Sequence, residues 1–327
     1  MKHVVLVFIL VCSSKIFGLC QIRPTGTPDS SFSVRSAYEN DRKNFPQLTL
    51  ADSSMPENVQ VFKNLIYTKT AAQNLALDIY TSAGKPKKVV PAILMIHGGG
   101  WRSGDRSHNN TLARQLAAKG YVTVTASYSL STHALYPQAV FDIKNAVRWM
   151  RANAEKYGID TSKIAVLGFS AGGQLAALVG TTNGNILFEK ENQHPAMSSQ
   201  VHAIVDIDGT LAFIHPESGE GDDSKSISAA TYWFGYSKTE KPELWEQASP
   251  LNYAGKNTPP ILFINSLVSR MHAGRDDMIE KLNSFNIYSE VKSFPEAPHC
   301  FMFYTPWFEK TLTHVDHFLK RVMDIKQ

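Results

Sequence analysis

The sequence predicts an α/β fold with a mainly parallel sheet of about eight strands, covered by helices on both faces. Short apolar runs alternate along the chain with segments whose apolar residues recur at helical spacing, and several runs end in glycine. Strands that alternate with helices in this way lie parallel, because each helix returns the chain across the sheet. The 327 residues, 43% of them apolar, suffice for one large core. We therefore expect a single α/β domain.

The predicted elements follow one another in a regular order. Residues 59–67 and 75–80 alternate apolar and polar side chains, as two paired edge strands do. Later strands are predicted at 89–96, 121–126, 163–169, 201–207, 261–264 and 289–294. Helices are predicted at 111–119, 139–157, 172–180 and 311–323. Gly120 and Gly158 end the first two of these helices.

Two segments depart from this alternation. Residues 21–57 are rich in proline and serine and have little apolar periodicity. We expect them to form a loosely structured leader that packs on the surface of a domain made by residues 58–327. Residues 209–250 hold glycine, serine and acidic residues around Tyr232-Trp233-Phe234. This segment is predicted to be a short, lid-like insertion over the strand ends.

The N-terminus has the pattern of a secretory signal peptide. Lys2 precedes an apolar run, residues 4–12, that is too short to span a bilayer. Removal of residues 1–20 would leave Gln21 as the first residue, and a lipid-modified Cys20 is the less favoured alternative. We expect a secreted or periplasmic protein with no membrane span.

Charge and cysteine content restrict the possible partners and cross-links. The net charge is +4, and basic and acidic residues are interspersed, so no basic stripe indicates a nucleic-acid partner. Cys300 would be the one cysteine left after removal of the signal peptide, which excludes an internal disulfide. We expect it to be a small buried side chain.

A nucleophile motif stands between a predicted strand and a predicted helix. The segment Gly168-Phe169-Ser170-Ala171-Gly172 matches the pattern G-x-S-x-G, in which glycines flank a serine at a sharp turn. A serine without a catalytic role in a glycine-rich turn would show the same residue pattern. The apolar strand before the motif and the small-residue helix after it favour Ser170 as a nucleophile.

A glycine cluster follows an earlier strand. His97-Gly98-Gly99-Gly100-Trp101 comes directly after the run 89–96. Glycines allow the backbone to approach a substrate carbonyl and direct N–H groups at it. A phosphate-binding loop would need a helix with a Lys-Ser/Thr pair immediately afterwards, which the sequence lacks. The cluster therefore indicates an oxyanion-binding loop.

These motifs together resemble those of a known family. The order His97-Gly-Gly-Gly-Trp, a helix containing Asp142, and Gly-Phe-Ser-Ala-Gly-Gly is similar to the α/β-hydrolase esterases related to hormone-sensitive lipase. Within them it resembles most the bacterial acetyl-xylan, feruloyl and related polysaccharide esterases, over residues 58–325. The segment 264–277 also resembles esterases that accompany pectin-degrading systems. The resemblance implies the α/β-hydrolase fold, no metal or organic cofactor, and oxyanion donors at Gly99, Gly100 and Ala171.

The catalytic base is predicted at His299, just beyond the last strand, where the chain order serine, acid, histidine requires it. The acid is not where the resembling family has it. That family places it within a few residues of the strand 261–264, and the residues that follow here, Asn265-Ser266-Leu267-Val268-Ser269-Arg270, contain no carboxylate.

Three assignments of the acid remain open from the sequence. Asp276 or Asp277, at the start of the next helix, would turn back toward His299. Asp208, at the tip of the preceding strand, would reach across. Alternatively the enzyme works as a dyad, with Asn265 or Ser266 orienting the imidazole.

The resemblance implies hydrolysis of small acyl or methyl esters on plant cell-wall polysaccharides or oligosaccharides. Trp101, beside the oxyanion-binding loop, is a candidate for stacking on a sugar ring. Two other functions fit the same scaffold: an amidase or peptidase, and an inactive hydrolase that serves as a binding protein. The missing acid is the observation behind the last of these.

Overall fold

The computed structural model describes residues 21–70, 73–84, 88–190 and 194–325. The predicted signal peptide, residues 1–20, lies outside the described residues. The strands are β1 (Thr49–Leu50), β2 (Val59–Lys69), β3 (Asn74–Ser82), β4 (Val90–Ile96), β5 (Val122–Ala126), β6 (Ile159–Phe169), β7 (Ala203–Ile207), β8 (Ile261–Asn265), β9 (Ser289–Ser293) and β10 (Tyr304–Thr305). The helices are α1 (Val34–Asp41), α2 (Asn110–Ala118), α3 (Gln138–Ala152), α4 (Ala154–Tyr157), α5 (Ala171–Thr181), α6 (Ala229–Phe234), α7 (Pro242–Gln247), α8 (Arg275–Ser284) and α9 (Trp307–Val322).

Eight of these strands form one sheet in the order β2-β3-β5-β4-β6-β7-β8-β9. Strand β3 is antiparallel to β2 and β5, and the pairings from β5 across to β9 are parallel. The predicted α/β-hydrolase fold, with a mostly parallel eight-stranded sheet, is confirmed.

Helices cover both faces because the central strands are apolar on both sides. On β4, Leu94 and Ile96 pack into a core shared with α3 and α5, whereas Ile93 and Met95 pack into a second core with α2 and α9. The predicted helix 139–157 is divided at Asn153, whose side-chain amide donates to the carbonyl oxygen of Trp149 (2.9 Å). That bond caps α3 and competes with continuation of the helix.

The sheet topology brings loops together at one edge. From β4 the chain crosses to β5 on one side, and β6 then lies on the other side of β4. Loops that leave the carboxyl ends of β4 and β6 therefore diverge and leave a crevice, the usual place for a ligand in an open α/β sheet. The glycine cluster after β4 and Ser170 after β6 both lie there.

The leader is more ordered than the sequence predicts. Helix α1 begins with a capping box in which Ser33 and Ser36 each accept the other's backbone N–H. Strand β1 pairs with β10, near the other end of the chain. The sequence did not predict α1, because this helix buries a single residue, Ala37, and so has no apolar periodicity to detect. Contacts with distant residues fix it in place.

The segment between β7 and β8, in which the sequence predicts an insertion, contains α6 and α7. Trp233 and Trp245 are fully buried and pack against the rings of Phe213 and Phe234, so these tryptophans are packing residues. Trp307, the first residue of α9, is likewise buried in the core.

The bond between α1 and β10 provides a test of whether the leader belongs to the folded domain. The hydroxyl of buried Tyr304 donates to Asp41 Oδ2 (2.9 Å). We expect Tyr304→Phe to lower the free energy of unfolding by about 1–2 kcal/mol, because the Asp41 carboxylate loses its donor. Urea denaturation measures it. Tyr288→Phe, which removes a hydroxyl bonded to Glu290 at the sheet edge, is the matched control and should cost less. Equal stability of Tyr304→Phe and the wild type would contradict a structural role for the leader.

Candidate active site

Ser170 occupies a strained turn between β6 and α5. Its backbone has φ 56° and ψ −122°, a conformation that non-glycine residues rarely adopt. Its N–H donates to the carbonyl oxygen of Ile207 on β7 (2.8 Å), which holds the turn against the sheet. The hydroxyl thereby stands clear of the strand and the helix, as the motif predicts.

The flanking glycines are required by close approach of the backbone. A Cβ on Gly168 would overlap the carbonyl of Gly172, and a Cβ on Gly172 would overlap the carbonyl oxygens of Ile96 and His97. The first turn of α5 therefore packs directly on the ends of β6 and β4. No larger residue fits between them.

Ser170, His299 and Asp208 form a hydrogen-bonded chain. His299 Nε2 lies 2.9 Å from Ser170 Oγ, and His299 Nδ1 lies 2.9 Å from Asp208 Oδ2. The imidazole bridges the hydroxyl and the carboxylate with one nitrogen each, the arrangement of a serine–histidine–acid triad. The ring of Phe169 packs beside the imidazole, with centroids 4.8 Å apart.

Asp208 is held rigidly at the end of β7. It is fully buried, its N–H donates to Ile264 O (3.0 Å), and its φ of 51° turns the side chain toward His299. Its Oδ1 accepts the backbone N–H of Ser266 (2.8 Å), while Oδ2 faces the imidazole. Both carboxylate oxygens therefore have partners, and the acid orients the base from the strand before the one the family uses.

The structure does not bring Asp276 or Asp277 to His299. Asp276 pairs with Arg275, and Asp277 pairs with His215 on the insertion. Both side chains are exposed in the first turn of α8, where negative charge favours the helix dipole. The prediction that one of them orients His299 is wrong.

The dyad assignment also fails on geometry. Asn265 Oδ1 accepts from Arg275 (2.9 Å), and the contribution of Ser266 is the backbone N–H that it donates to Asp208. Neither side chain contacts the imidazole. Sequence reasoning left the acid open because no carboxylate directly follows β8, while the tip of β7 and the first turn of α8 each offer one. Which carboxylate reaches His299 depends on the twist and length of β7 and β8 together.

The glycine loop presents backbone donors beside Ser170. Within the described residues, the N–H groups of Gly99, Gly100 and Ala171 have no hydrogen-bond acceptor, and all three residues line the pocket that contains Ser170 and His299. Gly98 lies against Ser170, where a Cβ would approach the Phe169 carbonyl to 2.9 Å. The predicted oxyanion donors are thus placed where they can act together.

Hydrogen bonds hold this loop in shape. Ser103 donates from both its N–H (2.9 Å) and its hydroxyl (3.0 Å) to the carbonyl of Gly99. Burial lowers the pKa of His97 to about 4, so the ring is neutral near pH 7 and its Nδ1–H donates to the Gly98 carbonyl (2.8 Å). The loop is therefore preorganised before substrate binds.

Trp101 does not offer a surface for stacking on a sugar. Its side chain is 4% exposed and stacks on Trp233, with centroids 4.9 Å apart and planes 9° apart. Its indole N–H donates to Gln174 Oε1 on α5 (2.9 Å). The prediction that it binds a sugar ring is wrong, since a ring face packed on the insertion is unavailable to substrate. The residue joins the oxyanion-binding loop to α5 and α6 instead.

A cavity of about 430 Å³, here called the serine pocket, contains Ser170 and His299 in its lining. Its walls come from the leader, the oxyanion-binding loop, the insertion and the segment after β8: Phe32, Gly99, Gly100, Trp101, Ser170, Ala171, Thr210, Gly219, Glu220, Ser228, Ala229, Arg270, Met271 and His299. Sequence reasoning missed Phe32, Thr210, Glu220 and Arg270. No motif marks them, because they reach the pocket only through tertiary packing.

Asp206, two residues before Asp208, is a second buried carboxyl group. Burial, and then the charge of Asp208, raise the pKa of Asp206 well above its usual value. Its Oδ1 accepts the N–H of Gly209 (2.8 Å) and lies so close to Gly173 that a Cβ there would overlap it. Asp206 therefore supports the turn that carries Asp208 and, in protonated form, adds no second charge.

Cys300 is buried, as expected, and burial raises the pKa of its thiol. The described residues contain no cluster of three or more His, Cys, Asp or Glu side chains suited to a metal ion. None of the helices in the described ranges combines the length and apolar content needed to cross a bilayer.

Comparison with known proteins gives both a family and a fold. The BD-FAE family model matches residues 77–289, about two thirds of the chain. The esterase LipC of Mycobacterium tuberculosis is 30% identical over 233 residues, which cover 68% of this chain and 53% of LipC. This chain thus spans about half the length of that relative.

Two solved structures share the fold. A truncated form of a carbohydrate esterase from gut microbiota superposes with a TM-score of 0.68 at 22% identity, covering 83% of this chain and 99% of that one. The bifunctional GH43-CE protein of Bacteroides eggerthii gives a TM-score of 0.67 at 25% identity, covering 80% of this chain and 38% of that one.

The close contact at the nucleophile turn leads to a stability prediction. We expect Gly168→Ala to lower the free energy of unfolding by about 3 kcal/mol or more, because the added methyl group would overlap the Gly172 carbonyl. Gly255→Ala is the control, since its Cβ would meet its nearest neighbour, the Tyr253 carbonyl oxygen, at 3.9 Å. Denaturant titrations compare the two. Equal tolerance of both substitutions would contradict the close packing of α5 on β6.

The buried acid leads to a pH prediction. The pKa of Asp206 is raised in the folded state, so at a pH above the unfolded pKa the folded protein binds a proton that the unfolded chain has released. The stability contributed by this group therefore falls as pH rises through the folded pKa. Asp206→Asn removes this dependence and keeps an oxygen for Gly209. We expect the variant to gain stability relative to the wild type as pH rises above the ordinary pKa of an aspartate, measured by urea unfolding at a series of pH values. Parallel pH curves for the two proteins would contradict the assignment.

Proposed function

Since this chain belongs to the BD-FAE family of α/β-hydrolases related to hormone-sensitive lipase, we propose that it is a serine carboxylic-ester hydrolase with Ser170 as its nucleophile. The observation that carries the proposal is the unbroken chain from Ser170 Oγ through His299 to buried Asp208. A hydroxyl at this position has a base within reach, and the base has a fixed tautomer.

The reaction proceeds in two stages. His299 Nε2 takes the proton of Ser170 as Oγ attacks the acyl carbonyl, and the N–H groups of Gly99, Gly100 and Ala171 bind the resulting oxyanion. The imidazolium keeps its Nδ1–H on Asp208 and gives the Nε2 proton to the leaving alcohol. Water, activated by the same nitrogen, then releases the acid and restores the serine.

The substrate proposed is an acylated plant cell-wall polysaccharide or an oligosaccharide derived from it, with acetate or another small ester group. Similarity to the GH43-CE protein of Bacteroides eggerthii supports a carbohydrate alcohol. The serine pocket adds polar side chains from the insertion, Thr210, Glu220 and Ser228, next to the catalytic serine. Such groups suit an alcohol rich in hydroxyls better than an aliphatic one.

Two alternatives have less support. An inactive binding protein was suggested by the missing acid, and Asp208 now occupies that place. Labelling by a fluorophosphonate probe distinguishes an active serine from an idle one. An amidase or peptidase would use the same three residues, and assay with matched ester and anilide substrates separates these activities.

We also propose export from the cytoplasm, on the strength of the signal-like segment at residues 1–20. N-terminal sequencing of protein expressed with this segment should give Gln21. A mass increment on Cys20 would indicate lipid modification instead.

The triad assignment is tested on a chromogenic acetate ester. We expect Ser170→Ala to lose about 10⁴-fold or more of kcat/KM, and Asp208→Asn a comparable amount, because an amide no longer stabilises the imidazolium. Asp276→Asn is the matched control and should stay within about twofold of the wild type. Turnover retained by Ser170→Ala would refute the proposed function. A large loss in Asp276→Asn with none in Asp208→Asn would refute the choice of acid.

A further inference from the structure

An ion pair lies in the wall of the serine pocket. Arg270 Nη1 donates to Glu220 Oε1 (2.8 Å), joining the insertion after β7 to the short 3-10 helix Ser269–His272 after β8. Both residues line the pocket that contains Ser170 and His299. Among the residues that line the pocket, Glu220, Arg270 and His299 have ionisable side chains. The pair and the catalytic serine therefore share one cavity.

The pair has hydrogen-bond donors and an acceptor that are not used within the described structure. Within the described residues, Arg270 makes one side-chain hydrogen bond, so its Nε–H and Nη2 groups are available as donors. Glu220 Oε2 accepts no hydrogen bond from a described side chain or backbone group. A donor and an acceptor thus stand side by side at the pocket wall. Neutral groups that both donate and accept fit this arrangement.

Local packing holds the arginine in position. Its side chain crosses Gly219, where a Cβ would meet Arg270 Cδ at 3.0 Å and Cβ at 3.5 Å. The next residue, Met271, is buried in the pocket wall, and Glu220 is 13% exposed. The Arg270 side chain, although half exposed, therefore packs against Gly219 and has one carboxylate partner. Preorganisation of this kind lowers the entropy cost of binding a ligand.

Thr210 is a third polar residue in the lining of the cavity. Its Oγ1 is buried and has no hydrogen-bond partner in the described structure, and the residue is 1% exposed. Because it is enclosed, this hydroxyl contributes polarity to the pocket wall from behind its surface.

We propose that the Glu220–Arg270 pair is the specificity determinant of the serine pocket and binds two adjacent hydroxyl groups of a neutral sugar unit in the alcohol part of the substrate. One hydroxyl donates to Glu220 Oε2 and its neighbour accepts from Arg270. The pair is electroneutral, so a uronate carboxylate that approached Arg270 would also meet the charge of Glu220. The enzyme therefore selects esters of neutral oligosaccharides over those of acidic ones. This inference rests on the proposed esterase function and specifies its substrate class.

The test compares two substrates, acetylated xylo-oligosaccharide and p-nitrophenyl acetate, which has no sugar hydroxyls. We expect Arg270→Gln and Glu220→Gln to lower the ratio of kcat/KM for the first substrate to that for the second by about tenfold or more, because each variant loses a charge-assisted hydrogen bond. Glu243→Gln is the matched control: it removes a carboxylate of the same insertion that pairs with Lys241 outside the pocket, and should leave the ratio unchanged.

The outcomes separate the inference from the function on which it rests. Failure of the wild type to cleave p-nitrophenyl acetate would overturn the esterase proposal and the inference with it. Cleavage of both esters, with the same ratio in wild type, Arg270→Gln and Glu220→Gln, would overturn the inference alone. Activity on p-nitrophenyl acetate also shows that each variant is folded.

A third substrate, acetylated oligogalacturonate, tests the charge argument. We expect the wild type to prefer the neutral oligosaccharide, and Glu220→Gln to raise the relative kcat/KM for the acidic one by about threefold or more, because a repelling carboxylate is removed. A wild-type preference for the acidic oligomer that Arg270→Gln abolishes would overturn the neutral-sugar assignment and make Arg270 a carboxylate-binding residue.

Discussion

The packing of the first turn of α5 against the ends of β6 and β4 is the contact on which the site depends. It brings Gly172 against the carbonyls of Ile96 and His97, and forces Ser170 into a backbone conformation that side chains rarely adopt. The same contact places the N–H of Ala171 beside the glycine loop that leaves β4. Nucleophile and oxyanion donors are thus positioned by one close approach, and the sheet underneath it supplies the rigidity.

Asp208 places a carboxylate beside His299 from a different strand than the one that carries the acid in the family pattern. The family pattern places the acid after the strand that is β8 here, and this chain has Asn265 and Ser266 there instead. The carboxylate comes from the tip of β7, and the residue after β8 contributes a backbone N–H to it. Burial, and then the charge of Asp208, raise the pKa of the neighbouring acid, Asp206, which favours its neutral form beside the triad. The position of the carboxylate in space, and not its place in the sequence, decides which acid reaches His299.

The walls of the pocket come from segments outside the central sheet. Phe32 belongs to the leader, and Glu220 belongs to the insertion. The leader is attached to the C-terminal part of the chain through α1 and β1. Trp101 connects the oxyanion-binding loop to the insertion through Trp233, so its place is structural. Connecting segments of this kind generally vary more between relatives than the strands that they connect. Substrate choice can therefore change while the catalytic groups stay fixed.

The sequence by itself determined the sheet, the nucleophile turn, the glycine loop and the base, because each depends on local periodicity or on glycines at backbone contacts. It left the acid open and misjudged the leader and Trp101. Only the tertiary structure decided that Asp208 rather than Asp276 or Asp277 reaches His299, and that Arg270 and Glu220 meet at the pocket. These pairings join residues far apart in the chain, and their distances are set by strand twist and loop packing, which no local pattern records.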